Sequence, residues 1–371
     1  MKIAIEAQRI FRVNKHGMDF VALECIRQLQ RLDKINEYFI FVAPGKDHCL
    51  ESTSNFHIIE LRSSLYPFWE QIALPLAAKK VKADILHCTS NTAPIYCKVP
   101  IIITLHDIIF LEKQRGKNAS LYQKLGWYYR KLVVPIAIKK CKHIITVSNF
   151  ERKTILDSLQ INPNKISTVY NGYSSHFIPI SDSLSITKKY FDVEKYIFFL
   201  GNTDPKKNTL RILKAYAIYR QNVSNPLPLV IADLKISIIK KIIEENNIKN
   251  IIDYIIPTGY IQNTDLPAIY SGARMFIYTS LRESFGIPIL ESMACGTPVI
   301  TSDVSAMPET AGDAAYLVNP LDEKDIARAV TEIAEDDDLY ELLSEKCKER
   351  SDYFSWKNTA VETLKLYKKN Y

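Results

Sequence analysis

The sequence lacks a long hydrophobic run, since nowhere in its 371 residues do 18 apolar residues follow one another. A membrane-spanning helix needs a run of about that length, so we expect none. The most apolar stretch, VPIIITLHDIIFL, contains His106 and Asp107 and is typical of a buried strand. The first residues, MKIAIEAQRIF, have neither the apolar centre nor the cleavage site of a signal peptide. We therefore expect the protein to stay in the cytoplasm.

Paired cysteines and the common nucleotide-binding signatures are also missing. The seven cysteines are scattered without a CxxC pair, which predicts reduced thiols that pack in the interior and no zinc site. Neither GxxxxGK[ST] nor GxGxxG occurs, so the chain has no P-loop and no dinucleotide-binding fingerprint. No low-complexity tract and no repeat of fixed period is present.

The chain instead alternates short apolar strands with helical patterns along its whole length. Runs rich in Val, Ile and Leu between helices are typical of parallel sheets that are covered on both faces. More than a dozen such strands fit two doubly wound domains better than one sheet. The best boundary is a Gly-, Ser- and Pro-rich stretch at 171–185. We therefore predict an α/β protein with domains at 1–178 and 179–354, and a last helix at 355–371 that returns to the first domain.

Polar residues follow several of the predicted strands. In doubly wound folds, ligands lie outside the carboxyl ends of the strands. A single histidine at such a position is more often structural, but five positions in two domains predict a shared cleft. These positions are His87, His106–Asp107, Gly201–Asn202, Gly259–Tyr260 and Glu283.

Two segments of the second half carry charge at predicted helix starts. In GNTDPKKN a strand gives way to a helix, and Lys207 adds a positive charge where helix amides favour an anion. In LRESFGIPILESMACG, Gly286 and Pro288 stand at a helix start, with Glu283 before it and Glu291 about one turn inside. Carboxylates accept paired hydrogen bonds from neighbouring hydroxyls, so this spacing fits the two sugars of a nucleotide sugar.

These segments belong to a series of blocks that resembles the retaining glycosyltransferases of family 4 (glycosyl transferases group 1). The blocks cover nearly the whole chain, and Glu283 with Glu291 forms the E-x7-E motif of the family. Within the family, the N-terminal layout and TLHD are most similar to the mannosyltransferase-like branch that builds bacterial surface polysaccharides. The blocks are VSNFERKTI, VYNGYSSHF, GNTDPKKN, TGYIQNTDLPAIYSGA, ESFGIPILESMACGTPVITSD, MPETAGDAAYLVNP and FSWKNTAVETLKLYKK. The resemblance implies the GT-B fold, in which two Rossmann-like domains face a central cleft.

The resemblance also implies roles for individual residues. Three would act in catalysis: Glu283 at the donor sugar, Lys207 at the diphosphate, and His106 at the donor sugar from the first domain. Further residues would bind the donor, with Glu291 at the ribose and Tyr260 beside the base. The remaining donor-binding positions are Gly17, Asn202, Arg282, Ser284, Phe285 and Gly286.

The chain departs from the family pattern at two positions. Asn202 stands where many relatives have arginine, so Lys207 or Arg282 must supply more of the charge at the phosphates. In KHGMD, Asp19 stands where a second glycine is expected after Gly17, and a carboxylate repels a diphosphate. Asp19 then either caps the helix that follows or binds the acceptor.

The expected activity is transfer of a hexose, with retention, from a nucleoside diphosphate sugar to a saccharide or lipid-linked saccharide acceptor. GDP-mannose is the first choice of donor, and a UDP-sugar transferase or a non-catalytic sugar-nucleotide-binding relative are the alternatives. We expect no metal, no other cofactor and no nucleic-acid partner. A metal-dependent transferase would need a DxD at a strand end, and Asp336–Asp338 instead precedes a helical pattern.

One basic segment has no place in this site. Residues 113–142 contain nine Lys and Arg and no acidic residue, interleaved with Tyr122, Trp127, Tyr128 and Tyr129. The segment could face an anionic membrane, a phosphate-bearing substrate or water. The first of these would make the protein peripheral on the inner face of the cell membrane.

Overall fold

A computed structural model describes residues 1–63, 65–111, 121–248 and 251–371, without the side chains of 121–123. Residues 113–120 of the basic segment at 113–142 therefore lie outside the described residues. The chain forms two compact units: unit 1 is Met1–Asn171 with Trp356–Tyr371, and unit 2 is Gly172–Ser355. Residues 172–178 and Ser355 thus lie in unit 2, whereas the sequence pattern predicted them in the first domain. The boundary falls close to Asn171 because the buried ring of Phe177 packs 6.0 Å from the ring of Tyr270 in the core of unit 2.

Unit 1 contains a seven-stranded parallel sheet in the order β3-β2-β1-β4-β5-β6-β7. Its strands are β1 (Lys2–Glu6), β2 (Glu37–Val42), β3 (Phe56–Glu60), β4 (Ile85–Cys88), β5 (Ile101–Thr104), β6 (His143–Thr146) and β7 (Ile166–Thr168). Its α-helices are α1 (Gly17–Leu32), α2 (Tyr66–Phe68), α3 (Leu74–Lys80), α4 (Leu121–Lys140), α5 (Asn149–Leu159) and, at the end of the chain, α14 (Trp356–Lys369). A π-helical turn, Trp69–Ala73, joins α2 to α3.

Unit 2 contains a six-stranded parallel sheet in the order β10-β9-β8-β11-β12-β13. Its strands are β8 (Tyr196–Leu200), β9 (Leu229–Ala232), β10 (Ile255–Gly259), β11 (Ala273–Tyr278), β12 (Val299–Ser302) and β13 (Tyr316–Val318). Its helices are α6 (Ser183–Thr187), α7 (Thr209–Asn222), α8 (Ile236–Glu245), α9 (Leu266–Gly272), α10 (Ile287–Ala294), α11 (Met307–Ala311), α12 (Glu323–Glu335) and α13 (Asp337–Asp352).

Both sheets are covered by an apolar core on each face, so the predicted doubly wound α/β architecture is confirmed. The strands are the apolar runs of the sequence, and no side of such a strand can face water. Short-range sequence signals also mark the helix starts. The Ser148 hydroxyl accepts the amide of Glu151 at 3.1 Å and caps α5. Asp336 caps α13 in the same way through the amide of Leu339 at 2.9 Å, which confirms that the DxD sequence is a helix start.

Helix α14 packs within unit 1, against α1. Its Tyr367 is fully buried and its hydroxyl lies 2.6 Å from Nδ1 of His87, whose Nε2 is 2.7 Å from the Thr104 hydroxyl. Both ring nitrogens of His87 are therefore occupied inside unit 1, and this strand-end histidine is structural. None of the helices in the described part of the chain is both long and apolar enough to cross a bilayer.

Candidate active site

Lys207 and Glu283 meet at the carboxyl edge of the sheet of unit 2. Lys207 ends a short 3-10 turn after β8, and Glu283 lies on the loop after β11, the neighbouring strand. The Lys207 Nζ is 2.6 Å from Oε1 of Glu283 and 3.0 Å from the hydroxyl of Tyr278. The two side chains are 23% and 14% exposed, so the pair is partly desolvated but reachable by a ligand.

The loop that carries Glu283 is fixed by hydrogen bonds on both sides. Its amide donates to the Ser305 hydroxyl at 3.0 Å, and that hydroxyl lies 2.6 Å from the carbonyl oxygen of Glu283. Arg282 donates from Nη1 to the same carbonyl oxygen at 3.1 Å. The amide of Leu281 bonds to the carbonyl of Lys206 at 2.7 Å, which ties this loop to the Lys207 turn. These hydrogen bonds to the backbone of the loop therefore fix the position of the ion pair.

Helix α10 begins directly after this loop with an uncapped first turn. Gly286 precedes it in the left-handed region, φ +99°, a conformation that favours glycine. As the N-cap residue, Gly286 has no side chain that could cap the helix, and Pro288 occupies an early position that has no amide hydrogen to satisfy. Ser284 and buried Phe285 lead into this turn, with the Phe285 carbonyl held by the hydroxyl of Thr310 at 2.6 Å. The start of α10 can thus receive an anion.

Glu291 lies one turn inside α10, partly buried. The nearest hydroxyl is that of Tyr270, 3.5 Å from Oε2, which is at the limit of a hydrogen bond. Burial raises the pKa of Glu291 to about 7. A carboxylate that is desolvated and so weakly hydrogen-bonded can accept bonds from the hydroxyls of a ligand.

Asn202 shapes the loop after β8 and brings no charge to it. Its Oδ1 accepts the amide of Asp204 at 2.8 Å, and its carbonyl accepts the hydroxyl of Thr209 at 2.6 Å. These bonds form a local turn of the type that Asn favours. The positive charge at this strand end comes from Lys207.

The ends of β9 and β10 adjoin each other beside this loop. Asp233, after β9, takes a left-handed conformation with φ +62°, and its amide donates to the carbonyl of Gly259 at 2.8 Å. Tyr260 follows and is 71% exposed, so its ring is free to stack on a planar ligand. Residues other than glycine with positive φ are uncommon, and they cluster at ligand-binding sites. The conformation of Asp233 therefore marks this sheet edge as a place where a ligand would lie.

In unit 1, His106 lies just beyond β5 and is buried. Its Nε2 is 2.9 Å from the carbonyl oxygen of Thr89, so this nitrogen carries the hydrogen and Nδ1 is left as an acceptor. Burial lowers the pKa of His106, opposed by the bond to Thr89. The imidazole is therefore neutral at physiological pH. Gly17 begins α1, and a Cβ there would meet no atom of the described residues within 4 Å.

Asp19 lies in the first turn of α1 with its side chain 1% exposed. Its Oδ2 accepts the amide of His16 at 2.9 Å, and its Oδ1 lies 2.9 Å from Nε of Arg9. The structure therefore places Asp19 as a helix-capping residue whose charge is balanced by Arg9. Oδ2 is hydrogen-bonded within the chain, whereas buried Oδ1 has the ion pair with Arg9 and no hydrogen bond among the described residues.

Four residues at these edges were not singled out from the sequence. Tyr278 ends an apolar strand, and the rule that polar groups at strand ends form the site would have found it. Burial and the neighbouring Glu283 raise the pKa of Tyr278, so it stays a neutral hydroxyl beside Lys207. Tyr270, Ser305 and Arg9 gave no such signal, because their partners Glu291, Glu283 and Asp19 lie 10 to 22 positions away along the chain.

Two family profiles match the chain in succession. Residues 16–176 match the Glycosyltransferase Family 4 profile, and residues 185–350 match the profile of Glycosyl transferases group 1. The chain belongs to glycosyltransferase family 4. The two matches correspond closely to the two compact units, and both E-x7-E glutamates lie within the second.

Curated relatives of the chain include several mannosyltransferases of bacterial surface polysaccharides. O-antigen chain mannosyltransferase B of Escherichia coli is 31% identical over 238 residues, which are 62% of each chain. O-antigen chain mannosyltransferase RfbU of Salmonella typhimurium is 28% identical over 269 residues, 72% of this chain and 69% of that one. Serotype-specific mannosyltransferase WbdA of Escherichia coli is 26% identical over 310 residues, 78% of this chain but only 37% of WbdA. The matched part thus covers less than two thirds of mannosyltransferase B and of WbdA.

Solved structures share the fold at low identity. Sucrose-phosphate synthase from Thermosynechococcus elongatus superposes with a TM-score of 0.77 at 18% identity, covering 100% of this chain and 98% of that one. WaaG, a glycosyltransferase of lipopolysaccharide biosynthesis, gives a TM-score of 0.72 at 13% identity over 98% and 99% of the two chains. The chain therefore has the GT-B fold that the resemblance implied.

Proposed function

We propose that the protein transfers a hexose from a nucleoside diphosphate sugar to a saccharide acceptor, with retention of the anomeric configuration. Mannose from GDP-mannose is the proposed donor, and a lipid-linked saccharide of bacterial surface polysaccharide assembly is the proposed acceptor. The names of the relatives support this choice. The observation that carries the proposal is the Lys207–Glu283 ion pair, which joins the turn after β8 to the loop that leads into α10.

When the donor binds, its diphosphate and its hydroxyls would replace contacts that the residues of the site now make with one another. A diphosphate attracts Lys207 and the first amides of α10, because both present positive charge. Lys207 would then leave Glu283, whose carboxylate becomes available to the hydroxyls of the transferred sugar. The two residues are already 2.6 Å apart, so a small movement accomplishes this exchange.

Glu291 would receive the ribose hydroxyls. The hydroxyl of Tyr270 lies 3.5 Å from its carboxylate, and burial raises the pKa of the carboxyl to about 7. Two ribose hydroxyls would satisfy the carboxylate better than the chain does. The exposed ring of Tyr260 offers a stacking surface for the base.

In unit 1, neutral His106 would contribute an acceptor nitrogen and no charge. Because Nε2 is committed to Thr89, Nδ1 is left to accept a hydroxyl of a ligand. Transfer would then depend on positioning and on stabilising the diphosphate charge that develops as the glycosidic bond breaks. We propose that Lys207 and the helix amides carry that charge without a metal ion.

A panel of nucleotide sugars tests the proposal directly. The purified protein is mixed with GDP-mannose, UDP-glucose, UDP-N-acetylglucosamine and other donors, and melting temperature and nucleoside diphosphate release are recorded. Selective stabilisation and hydrolysis with GDP-mannose, and an α-linked mannoside by NMR after acceptor is added, are the expected results. Selectivity for a UDP-sugar would change the proposed donor and leave the proposed transfer reaction as it is.

Matched variants link any activity to the site. Lys207→Ala should lower the rate of donor hydrolysis by roughly 10²–10³-fold, whereas Lys206→Ala, at the neighbouring and partly exposed residue, should retain it. Tight nucleotide binding without hydrolysis or transfer for any donor would make the protein a non-catalytic sugar-nucleotide-binding relative.

A further inference from the structure

The Lys207–Glu283 ion pair has a third member, the hydroxyl of Tyr278. The Lys207 Nζ donates to this hydroxyl at 3.0 Å and to Glu283 at 2.6 Å, and it lies 5.0 Å from the centre of the tyrosine ring. Burial, the charge of Glu283 and a hydrogen bond with its side chain raise the pKa of Tyr278, and a hydrogen bond with Ser280 opposes the rise. The phenol therefore keeps its proton. One hydroxyl can thus accept a bond from Lys207 and donate one to Glu283.

Tyr278 is held more rigidly than either of the charged residues. It ends β11 and pairs with Thr301 of β12, whose hydroxyl donates to the Tyr278 carbonyl at 2.9 Å. Its ring stacks on that of Phe276 at 5.7 Å, and the residue is only 5% exposed. Lys207 and Glu283 lie instead on a turn and a loop, and their side chains are 23% and 14% exposed. Tyr278 is therefore a fixed point beside two more exposed charged side chains.

A fixed hydroxyl becomes important when the ion pair opens. In the proposed reaction the diphosphate draws Lys207 away from Glu283, and the carboxylate turns to hydroxyls of the sugar. Each side chain then loses the partner that lies 2.6 Å away, and each has several rotatable bonds that can carry it out of place. Misplacement of a catalytic group by about 1 Å can cost on the order of 100-fold in rate. A hydroxyl that bonds to both side chains restricts these motions without adding charge.

We propose that Tyr278 is a positioning residue of the transfer reaction, whose hydroxyl keeps Lys207 directed at the diphosphate and Glu283 at the sugar after their ion pair has opened. The inference rests on the proposed function, because it takes Lys207 and Glu283 as the groups that act on the donor. Tyr278 acts through these two side chains and does not need to touch the donor. Its effect should therefore appear in turnover and not in nucleotide affinity.

Tyr278→Phe tests the role, because it removes the hydroxyl and keeps the ring that stacks on Phe276. The substrate is GDP-mannose, or the UDP-sugar that the donor panel selects. The kcat for donor hydrolysis should fall roughly 10–100-fold, the scale of one hydrogen bond to a charged group. The Kd of the nucleoside diphosphate, measured by calorimetry, should change by less than about twofold, since Lys207 still supplies its charge to the phosphates.

Tyr196→Phe is the matched control. Tyr196 is a buried tyrosine of β8, and its hydroxyl donates to the backbone carbonyl of Ile269 at 2.7 Å. The variant loses a buried hydroxyl bond, as Tyr278→Phe does, but the bond does not involve the ion pair. Tyr196→Phe should lower the melting temperature and leave kcat unchanged. Circular dichroism confirms the fold of each variant before its activity is compared.

A double-mutant cycle with Lys207→Ala separates positioning from stability. Tyr278→Phe should cost less in the Lys207→Ala background than in the unchanged chain, because one of the two side chains that it positions is gone. Tyr196→Phe should have the same effect in both backgrounds. A normal kcat in Tyr278→Phe, or an equal loss in both backgrounds, would overturn the proposal and make this hydroxyl structural. Normal hydrolysis by Lys207→Ala would instead contradict the proposed function itself.

Discussion

Replacement of Glu291 by Gln should stabilise unit 2 while weakening nucleotide binding. Burial raises the pKa of this carboxyl from the usual 4.5 to about 7. In the unfolded chain the carboxyl group ionises near pH 4.5. The free energy of unfolding of unit 2 therefore falls as the pH rises from 4.5 to 7, and the loss is constant above pH 7. The carboxylate therefore destabilises the folded protein at neutral and alkaline pH, and the uncharged Gln removes this cost.

The pKa difference sets the size of the effect. A shift of about 2.5 pH units corresponds to roughly 3 kcal/mol. Because the side chain is only partly buried, solvent screens it, and we expect a gain of roughly 1–2 kcal/mol at pH 8. The gain should be much smaller at pH 5, where folded Glu291 is protonated. The weak contact with Tyr270 at 3.5 Å adds little that the Gln could lose.

Scanning calorimetry of the ligand-free protein at pH 5 and pH 8 measures this difference. All three tryptophans, Trp69, Trp127 and Trp356, belong to unit 1, so their fluorescence identifies the unfolding of that unit. The remaining transition reports unit 2. Glu244→Gln, on the exposed side of α8, is the matched control and should change neither transition.

The result that would refute the reasoning is a stability change in Glu291→Gln that does not depend on pH, or a loss of stability that is larger at pH 8. Calorimetric titration with GDP or UDP supplies the second half of the test. The variant should bind nucleotide roughly tenfold more weakly, since one amide nitrogen replaces an acceptor. Unchanged affinity would remove Glu291 from the ribose site.

Four further predictions concern the same two units. Lys207→Ala should lower kcat/KM for transfer by roughly 10²–10³-fold, the effect of losing one preorganised charge, with Lys206→Ala near normal; a near-normal Lys207 variant would contradict its role. Transfer should persist in EDTA, and its abolition with rescue by Mn²⁺ or Mg²⁺ would favour a metal-dependent mechanism. Burial lowers the pKa of His87 to about 3, so this histidine alone should remove roughly 2 kcal/mol from the stability of unit 1 as the pH falls from above 6.5 to 5. Burial also lowers the pKa of His106 and of His143, so the total loss, measured by urea unfolding with tryptophan fluorescence, should be at least this large; a flat profile would contradict this. Asp19→Asn keeps an acceptor for the His16 amide but removes the charge that balances Arg9, so it should lower stability by roughly 1–3 kcal/mol; loss of transfer with donor hydrolysis retained would instead assign Asp19 to the acceptor.

The sequence alone was sufficient for the local structure and the family. Apolar runs specify buried parallel strands because such residues cannot face water on either side, and the runs recur as β1 to β13. Helix starts at Ser148 and Asp336 were also predictable, since a cap depends on residues only a few positions apart. The E-x7-E motif lies on one loop and helix, so the placement of Glu283 and Glu291 at one helix start follows from their spacing along the chain.

Only the tertiary structure decided which distant residues meet. Lys207 and Glu283 are paired because β8 and β11 are neighbours in the sheet, an order that strand sequences do not encode. In the same way, His87 is structural because α14 brings Tyr367 to it from 280 positions away. These features depend on long-range packing, whereas a sequence pattern records only the preferences of neighbours along the chain.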